Sequence, residues 1–384
     1  MTQQQQPALK SSEKMTINDL LHGLEESPVS LIGDNARSVV AKERDAILNF
    51  LDSGGTAYGF STFFGHLDNH TIKPADSQVL FDAHLVGTPR PLSEKASRAI
   101  TLIKLCQLRQ GGSGISPETF DRVLEGLNQT VSIDLDASYG SGDVVPGAWW
   151  VRSILGPTPD FQRGDLIALI NGSFVPVGLL LHAVQPLETL FSTVIWSADV
   201  ARDFVQQRNA SGVQLPVSLR DVGPLKRELA DGMTQLKSAI ESSANRSSFN
   251  PAFVFNDDKS TVSVCSNSSF LNFECLVAVR RACTSLSVAA GYSLAIINHV
   301  SSTLEKESDI NHGVDWVQVP KVAKAYYDNL TDTLTFSGST AQWTSGGTED
   351  VSDFLLADTR KLLHGLEIAE KLVGLLTRCV GEPH

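Results

Sequence analysis

The chain has 384 residues, 42% of them apolar, and carries 31 basic against 43 acidic side chains, a formal charge of −12 at pH 7. That is enough apolar material for a sizeable core, and the acidic balance without a Lys/Arg-rich run argues against nucleic acid, whose phosphate backbone is bound by clustered positive charge. Residues 1–14 are polar and Gln-rich, read as a disordered tail with neither a signal peptide's apolar stretch nor a membrane anchor, and no window is expected to supply the ~18 apolar residues that span a bilayer.

In chain order, apolar residues spaced by three and four predict helices between Ile17 and Leu51, until Gly54-Gly55 breaks the pattern. Ser93 to Leu108 and Pro117 to Leu127 read as amphipathic helices, the second with Ser116 as N-cap and Pro117 at its first position. Residues 130 to 147, rich in Gly, Ser and Asp, read as an ordered loop and a place for chemistry. Long helices follow at Leu179 to Gln207, Leu225 to Ser242, Phe273 to Leu304 and Asp353 to Thr377. A small hairpin is expected where Phe253-Val254-Phe255 and Thr261 to Cys265 flank Asn256-Asp257-Asp258-Lys259.

The expected class is mainly α, an elongated helical bundle. A smaller loop-rich N-terminal part, 15–175, is continuous with a central and C-terminal bundle, 176–384. Five cysteines (Cys106, Cys265, Cys275, Cys283 and Cys379) lack C-x-x-C or zinc spacing and fit buried thiols of a reducing compartment. The expected setting is cytoplasmic, with no metal and no membrane or nucleic-acid partner.

The most informative stretch is Ala137-Ser138-Tyr139-Gly140-Ser141-Gly142-Asp143-Val144-Val145-Pro146. Read physically, two glycines around a serine let the backbone fold back on itself, and a tight turn capped by Asp143 accounts for the loop alone. The stretch also resembles the ammonia-lyase and aminomutase family that includes histidine and phenylalanine ammonia-lyases. In that family an Ala-Ser-Gly-Asp loop cyclises into the electrophile 4-methylidene-imidazol-5-one (MIO). Here Gly140 stands in place of the alanine and Tyr139 in place of a common glycine. Cyclisation joins the Gly142 nitrogen to the carbonyl of residue 140, and Ser141 loses water to give the methylidene, so neither step uses a side chain at 140. The extra freedom of glycine makes the compressed loop costlier to hold.

Other family segments occur in the same order. The Gly55-to-Thr62 run is similar to the segment around the family's catalytic tyrosine, placed on Tyr58, and Ala83-His84-Leu85-Val86-Gly87 to its histidine segment. Asn171 in Leu169-Ile170-Asn171-Gly172-Ser173 falls on an active-site asparagine. Arg220 in Val217-Ser218-Leu219-Arg220 falls on the arginine that holds the substrate carboxylate, while Val217 replaces a tyrosine. Asn250-Pro251 fits an Asp-Asn-Pro piece. Glu349 in Thr348-Glu349-Asp350-Val351 falls on an active-site glutamate.

The resemblance runs from Ile17 to Leu372. The short 171–217 interval and the few residues after Glu349 imply that a helix pair and a C-terminal extension are missing. It implies a fumarase/aspartase-like helical fold, a homo-oligomer, most simply a tetramer, and an ammonia-lyase or aminomutase acting on an α-amino acid. The site roles it implies are Tyr58, Gly140, Ser141, Gly142 and Glu349 for catalysis and His84, Asn171 and Arg220 for substrate binding. Leu85, Val86, Thr348 and Val351 suggest an uncharged or aromatic substrate side chain. The alternative is an MIO-independent enzyme, using Tyr58, His84 and Glu349 in a specialised biosynthetic pathway, or a non-catalytic homologue.

Overall fold

The computed structural model describes residues 14–25, 32, 35–73, 75–209, 212–256, 261–308, 315–336 and 340–381. Residues 1–13 of the expected tail and 257–259 of the expected hairpin turn lie outside them. Helix accounts for 66% of the described residues. The α-helices are α1 (Ile17–Glu25), α2 (Ala36–Asp52), α3 (Asp76–His84), α4 (Glu94–Arg109), α5 (Pro117–Glu125), α6 (Val144–Leu155), α7 (Asp165–Ile170), α8 (Phe174–Arg208), α9 (Gly223–Ala244), α10 (Phe273–Glu307), α11 (Val319–Thr333) and α12 (Leu355–Val380). Among the described residues, three antiparallel two-stranded ribbons join β1 (Arg90–Pro91) to β2 (Ser132–Ile133), β3 (Ala252–Phe255) to β4 (Val262–Cys265) and β5 (Ala341–Thr344) to β6 (Glu349–Val351).

The chain forms two compact units. The first gathers 1–182, 238–276 and 339–357, and the second 183–237, 277–338 and 358–384. The first therefore includes both later hairpins, segments that sequence order alone groups with the C-terminal bundle.

Helix α4 is the spine of the first unit. Ser93 caps it, its Oγ accepting from the Ala96 N–H, and from Ala99 to Arg109 every residue is buried. A helix buried on all sides belongs at the centre of a core. Trp150, fully buried, donates from its indole N–H to Thr101 Oγ1 at 3.0 Å and meets the Phe174 ring edge-on at 5.0 Å. The start of α8 lies so close to α4 that a Cβ on Gly178 would come within 2.4 Å of the Ile100 Cα. A second cluster, Ile47, Leu51, Ala57, Phe60, Ile167 and Phe253, joins α2, α7 and the β3 strand, and Tyr58 and Phe64 pack against it.

In the second unit, Gly232 on α9 faces Ser285 on α10, and Gly365 on α12 sits against Leu286, Leu330 and Leu334. Ion pairs Arg280–Asp358 at 2.6 Å and Arg281–Glu228 at 2.6 Å tie these helices.

One expectation is corrected. The helical stretch Asp165–Arg208 is long and apolar enough to cross a membrane by length and composition, but 94% of that apolar window is buried inside the protein. A run of this kind serves equally well as the core of a packed bundle, where apolar residues face other helices rather than lipid.

Candidate active site

Tyr58 sits in a turn that its neighbours hold closed. The Ala57 N–H donates to Ser61 Oγ at 2.8 Å, and Gly59 at φ +70° passes Ile167 so closely that a Cβ would lie 2.8 Å from it. Only glycine combines that backbone region with that approach. The Tyr58 hydroxyl oxygen accepts from the Gly65 N–H at 2.7 Å. Burial pushes its pKa up; the Gly65 hydrogen bond opposes this, and the charges of Glu349 and Asp68 add to the rise. Beside it lies a cleft of about 280 Å³ lined by Thr56, Tyr58, Thr62, Asp68, Pro251 and Ser266, among others.

Glu349 stands before the last helix, α12. It lies in β6, opposite Thr344 of β5, and Thr344 Oγ1 donates to its Oε2 at 2.9 Å. The connecting Ser345, Gly346 and Gly347 all have positive φ, and Gly65 and His66 approach Ser345 and Gly346. The ribbon thereby carries Glu349 to the Tyr58 turn. The Tyr139 hydroxyl hydrogen-bonds Glu349, and burial, the charges of Glu349 and Asp143 and neighbouring Tyr58 push its pKa upward. His84, at the end of α3, places Nδ1 2.7 Å from the Leu80 carbonyl, which requires the proton on Nδ1, and its ring meets Phe64 edge-on at 5.7 Å. Burial lowers the His84 pKa, against the Leu80 contact and the Glu349 charge. Tyr58, His84, Tyr139 and Glu349 thus form one electrostatically connected group.

The 138–143 loop is tightly held, and residues 140–143 are buried. Gly140 and Gly142 have φ of +78° and +72°, and Asp143, at +47°, begins α6. Ser138 Oγ donates to Asp143 and accepts from the Gly140 N–H. The Gly140 carbonyl receives two donors, the Ser352 hydroxyl at 2.8 Å and the Asp353 N–H at 3.0 Å. The freedom expected of a glycine at 140 is therefore removed by its surroundings. Asp143 is fully enclosed, and burial together with the Asp353 charge raises its pKa to about 7 against the pull of Ser138.

Asn171, at the end of α7, lies against this loop. Its Oδ1 is 2.8 Å from where a Gly142 Cβ would stand, and the Gly172 N–H donates to the Gly142 carbonyl at 3.0 Å. That Oδ1 is buried and has no hydrogen-bond partner among the described residues. The Asn171 backbone is held from below by Lys104, whose Nζ donates to the Ala168 carbonyl at 2.7 Å and the Asn171 carbonyl at 3.3 Å while facing the Phe174 and Phe249 rings. Full burial drives the Lys104 pKa well below its ordinary value.

Arg220 belongs to the second unit, where it is exposed and its Nε donates to the Leu215 carbonyl at 2.6 Å. Val217, on the family's tyrosine position, is 71% exposed. Tyr139, Ser352, Asp353 and Lys104 are the site residues the sequence does not announce. Lys104 leaves a trace as a single charge within the run Ala99 to Leu105, and Tyr139 as a bulky residue where the family commonly has glycine.

With the geometry in hand, the fold is that of ammonia-lyases and aminomutases. The chain matches the phenylalanine aminomutase of Pantoea agglomerans with a TM-score of 0.81 at 15% identity, covering 97% of this chain and 89% of that one. The histidine ammonia-lyase of Trypanosoma cruzi matches at 0.77, with 18% identity over 96% and 82%. Ergothionase of Treponema denticola, an ergothioneine-degrading enzyme, gives 0.76 with 14% identity over 97% and 90%. A model of the aromatic amino acid lyase family matches residues 15–159 of the chain. A histidine ammonia-lyase of Streptococcus pyogenes is 34% identical over 163 residues, 41% of this chain and 32% of that enzyme. The matched stretch thus spans about a third of the length of the curated relatives.

Proposed function

We propose that the chain is a carbon–nitrogen lyase or aminomutase that eliminates ammonia from an α-amino acid or moves its amino group, and that Gly140, Ser141 and Gly142 mature to MIO. The observation that carries the reading is the meeting of Tyr58, His84, Tyr139 and Glu349 in the unit that also holds the buried Gly140-Ser141-Gly142 loop. Turn and surface residues retained for packing alone have no reason to gather their titratable ends. The loop fits the group, since the carbonyl to be attacked holds two donors and the Asn171 Oδ1 acceptor beside Gly142 lacks one.

When formed, MIO supplies an electrophile for the substrate amine. The chain's own residues supply binding and proton transfer. Tyr58 is the base that takes the β-proton, and its buried, acid-flanked setting means that the competent phenolate grows in the alkaline range. Within the first unit, Asn171 holds the carboxylate; Arg220, on the second unit, has the parallel guanidinium donors that suit a carboxylate. Glu349 tunes the amine, with Tyr139 as its hydrogen-bonding partner. His84, neutral at pH 7, orients the substrate. We place the enzyme in the cytoplasm as a homo-oligomer, most simply a tetramer.

A second reading, addition–elimination chemistry without MIO, is favoured by Tyr139, a bulky phenol directly before the loop. An intact mass with a near-ultraviolet difference spectrum, and product analysis on phenylalanine, tyrosine and histidine, separate the two. Loss of two waters makes the mature chain about 36 Da lighter than encoded, and Ser141→Ala then abolishes turnover, as covalent catalysis through that residue requires. An encoded mass with an active Ser141→Ala protein establishes the second reading instead.

A further inference from the structure

The Gly140 carbonyl is the atom group on which the proposed maturation depends, because the Gly142 nitrogen must add to its carbon. As that N–C bond forms, the carbonyl oxygen gathers negative charge, takes up the protons given up by the Gly142 and Ser141 nitrogens and leaves as the first water while the carbon forms a double bond to the Ser141 nitrogen; the Ser141 Cα–H and hydroxyl leave as the second. Charge developing on a carbonyl oxygen is stabilised most by donors already aimed at it. The structure places two there, although both come from residues more than 200 positions later in the chain.

The donors are themselves fixed. Ser352 is fully buried; its Oγ accepts from the Phe354 N–H at 3.2 Å, which turns the hydroxyl proton toward the loop, where it donates to the Gly140 carbonyl at 2.8 Å and more weakly to that of Tyr139 at 3.3 Å. Phe354 holds a φ of +50°, a backbone region side chains rarely adopt. The second donor, the Asp353 N–H, is held by the Asp353 carboxylate, which accepts from the Asn272 N–H at 2.7 Å and the Leu355 N–H at 2.9 Å. A Cβ at position 140 would lie 1.8 Å from Ser352 Oγ. An alanine there and the Ser352 hydroxyl cannot occupy this arrangement together.

We propose that the Ser352 hydroxyl and the Asp353 N–H form an oxyanion site on the Gly140 carbonyl that drives cyclisation of the Gly140-Ser141-Gly142 loop, and that glycine stands at 140 because the Ser352 hydroxyl fills the space of its side chain. The proposal rests on MIO formation and deepens it. Ser352 is a positioning residue that acts on the loop before any substrate is bound.

The test reads maturation itself. Wild type, Ser352→Ala, Ser352→Cys, Ser352→Thr and Gly140→Ala are made in a short pulse of cell-free synthesis, and their intact masses are followed at timed intervals beside thermal unfolding of each. Removing one oxyanion donor typically costs on the order of 10²–10³ in rate, so Ser352→Ala matures that much more slowly while unfolding near the wild-type temperature. Ser352→Thr keeps the hydroxyl and matures close to wild type; Ser352→Cys, similar in shape with a weak donor, falls between. Gly140→Ala matures as slowly as Ser352→Ala although its side chain takes no part in the bonds formed. Equal maturation rates in wild type and a folded Ser352→Ala or Ser352→Cys protein overturn the oxyanion site while leaving MIO in place. A wild-type chain that stays at its encoded mass removes both.

Discussion

Tyr58 is the side chain whose chemistry is most exposed to test. Its pKa is raised by burial first and by Glu349 and Asp68 after it, so at neutral pH nearly all of it is phenol. As a base it works through the phenolate, whose fraction grows about tenfold per pH unit below the pKa, and kcat/KM is expected to climb from pH 7 into the alkaline range. Tyr58→Phe should lose that climb and about 10²–10⁴ of the rate, the usual worth of a positioned acid–base group. A flat wild-type profile above pH 7 contradicts the assignment. His84, with its pKa lowered below 6.5, stays uncharged across this window and does not blur it. Asp143 offers a stability test at the same scale. Its folded pKa of about 7 lies above its ordinary 3.8, so the stability of its protonated form is present below pH ~4 and is lost as pH rises through about 7. Asp353 and Ser138 are the groups that face it. Asp143→Asn keeps an acceptor for Ser138 without the charge, and its denaturant midpoint should gain on wild type between pH 5 and pH 8; an equal deficit at both pH values would show that the carboxylate is not buried as charged.

Among the elements, α7 shows how a short helix can locate a site. It has six residues, too few to persist alone, yet its first residue, Asp165, is fully buried and accepts from the Ser116 N–H at 2.8 Å, Ser116 Oγ at 2.7 Å, Thr119 Oγ1 at 2.6 Å and the Gln162 N–H at 3.0 Å. The same carboxylate joins the N-terminus of α5 to that of α7, at whose other end Asn171 stands. Asp165→Ala would strand several buried donors, and a charged hydrogen-bonding hub removed this way costs about 3–5 kcal/mol. Thermal unfolding checks the magnitude, and a loss under 1 kcal/mol would show that α7 is held by its apolar face alone. Ser116 as N-cap and Pro117 at the first turn were readable because capping is local chemistry. The bridge to Asp165 was not, because nothing in a sequence pairs residues 49 apart. The ribbon from β5 to β6 makes the same point: a three-residue turn of positive φ with a shift in register has no period to detect, so the strand that carries Glu349 is not legible from spacing.

For the whole molecule, helix positions were legible from apolar spacing, as in α10, which runs from Phe273–Glu307 against an expected Phe273 to Leu304. The candidate site segments were named from the family resemblance. What brings Tyr139 to Glu349 and Ser352 to Gly140 is long-range packing, and no local pattern records it. Association is a property of the same scale. The surface retains Val79 at 66%, Val217 at 71%, Val277 at 64% and Trp343 at 77% exposure, and a hollow of about 400 Å³ lies among Val217, Ser218, Tyr292 and His299. Single exposed apolar side chains are ordinary, but each of this size gains about 1.5–3 kcal/mol if fully covered, and a repeated interface in a closed homo-oligomer covers every copy at once. A tetramer of this 41.4 kDa chain should scatter as a particle of about 166 kDa at micromolar concentration. Val217→Asp and Trp343→Glu should lower that mass wherever those residues are covered, with little effect where they face water. A monomer of about 41 kDa would mean that each site is completed within a single chain.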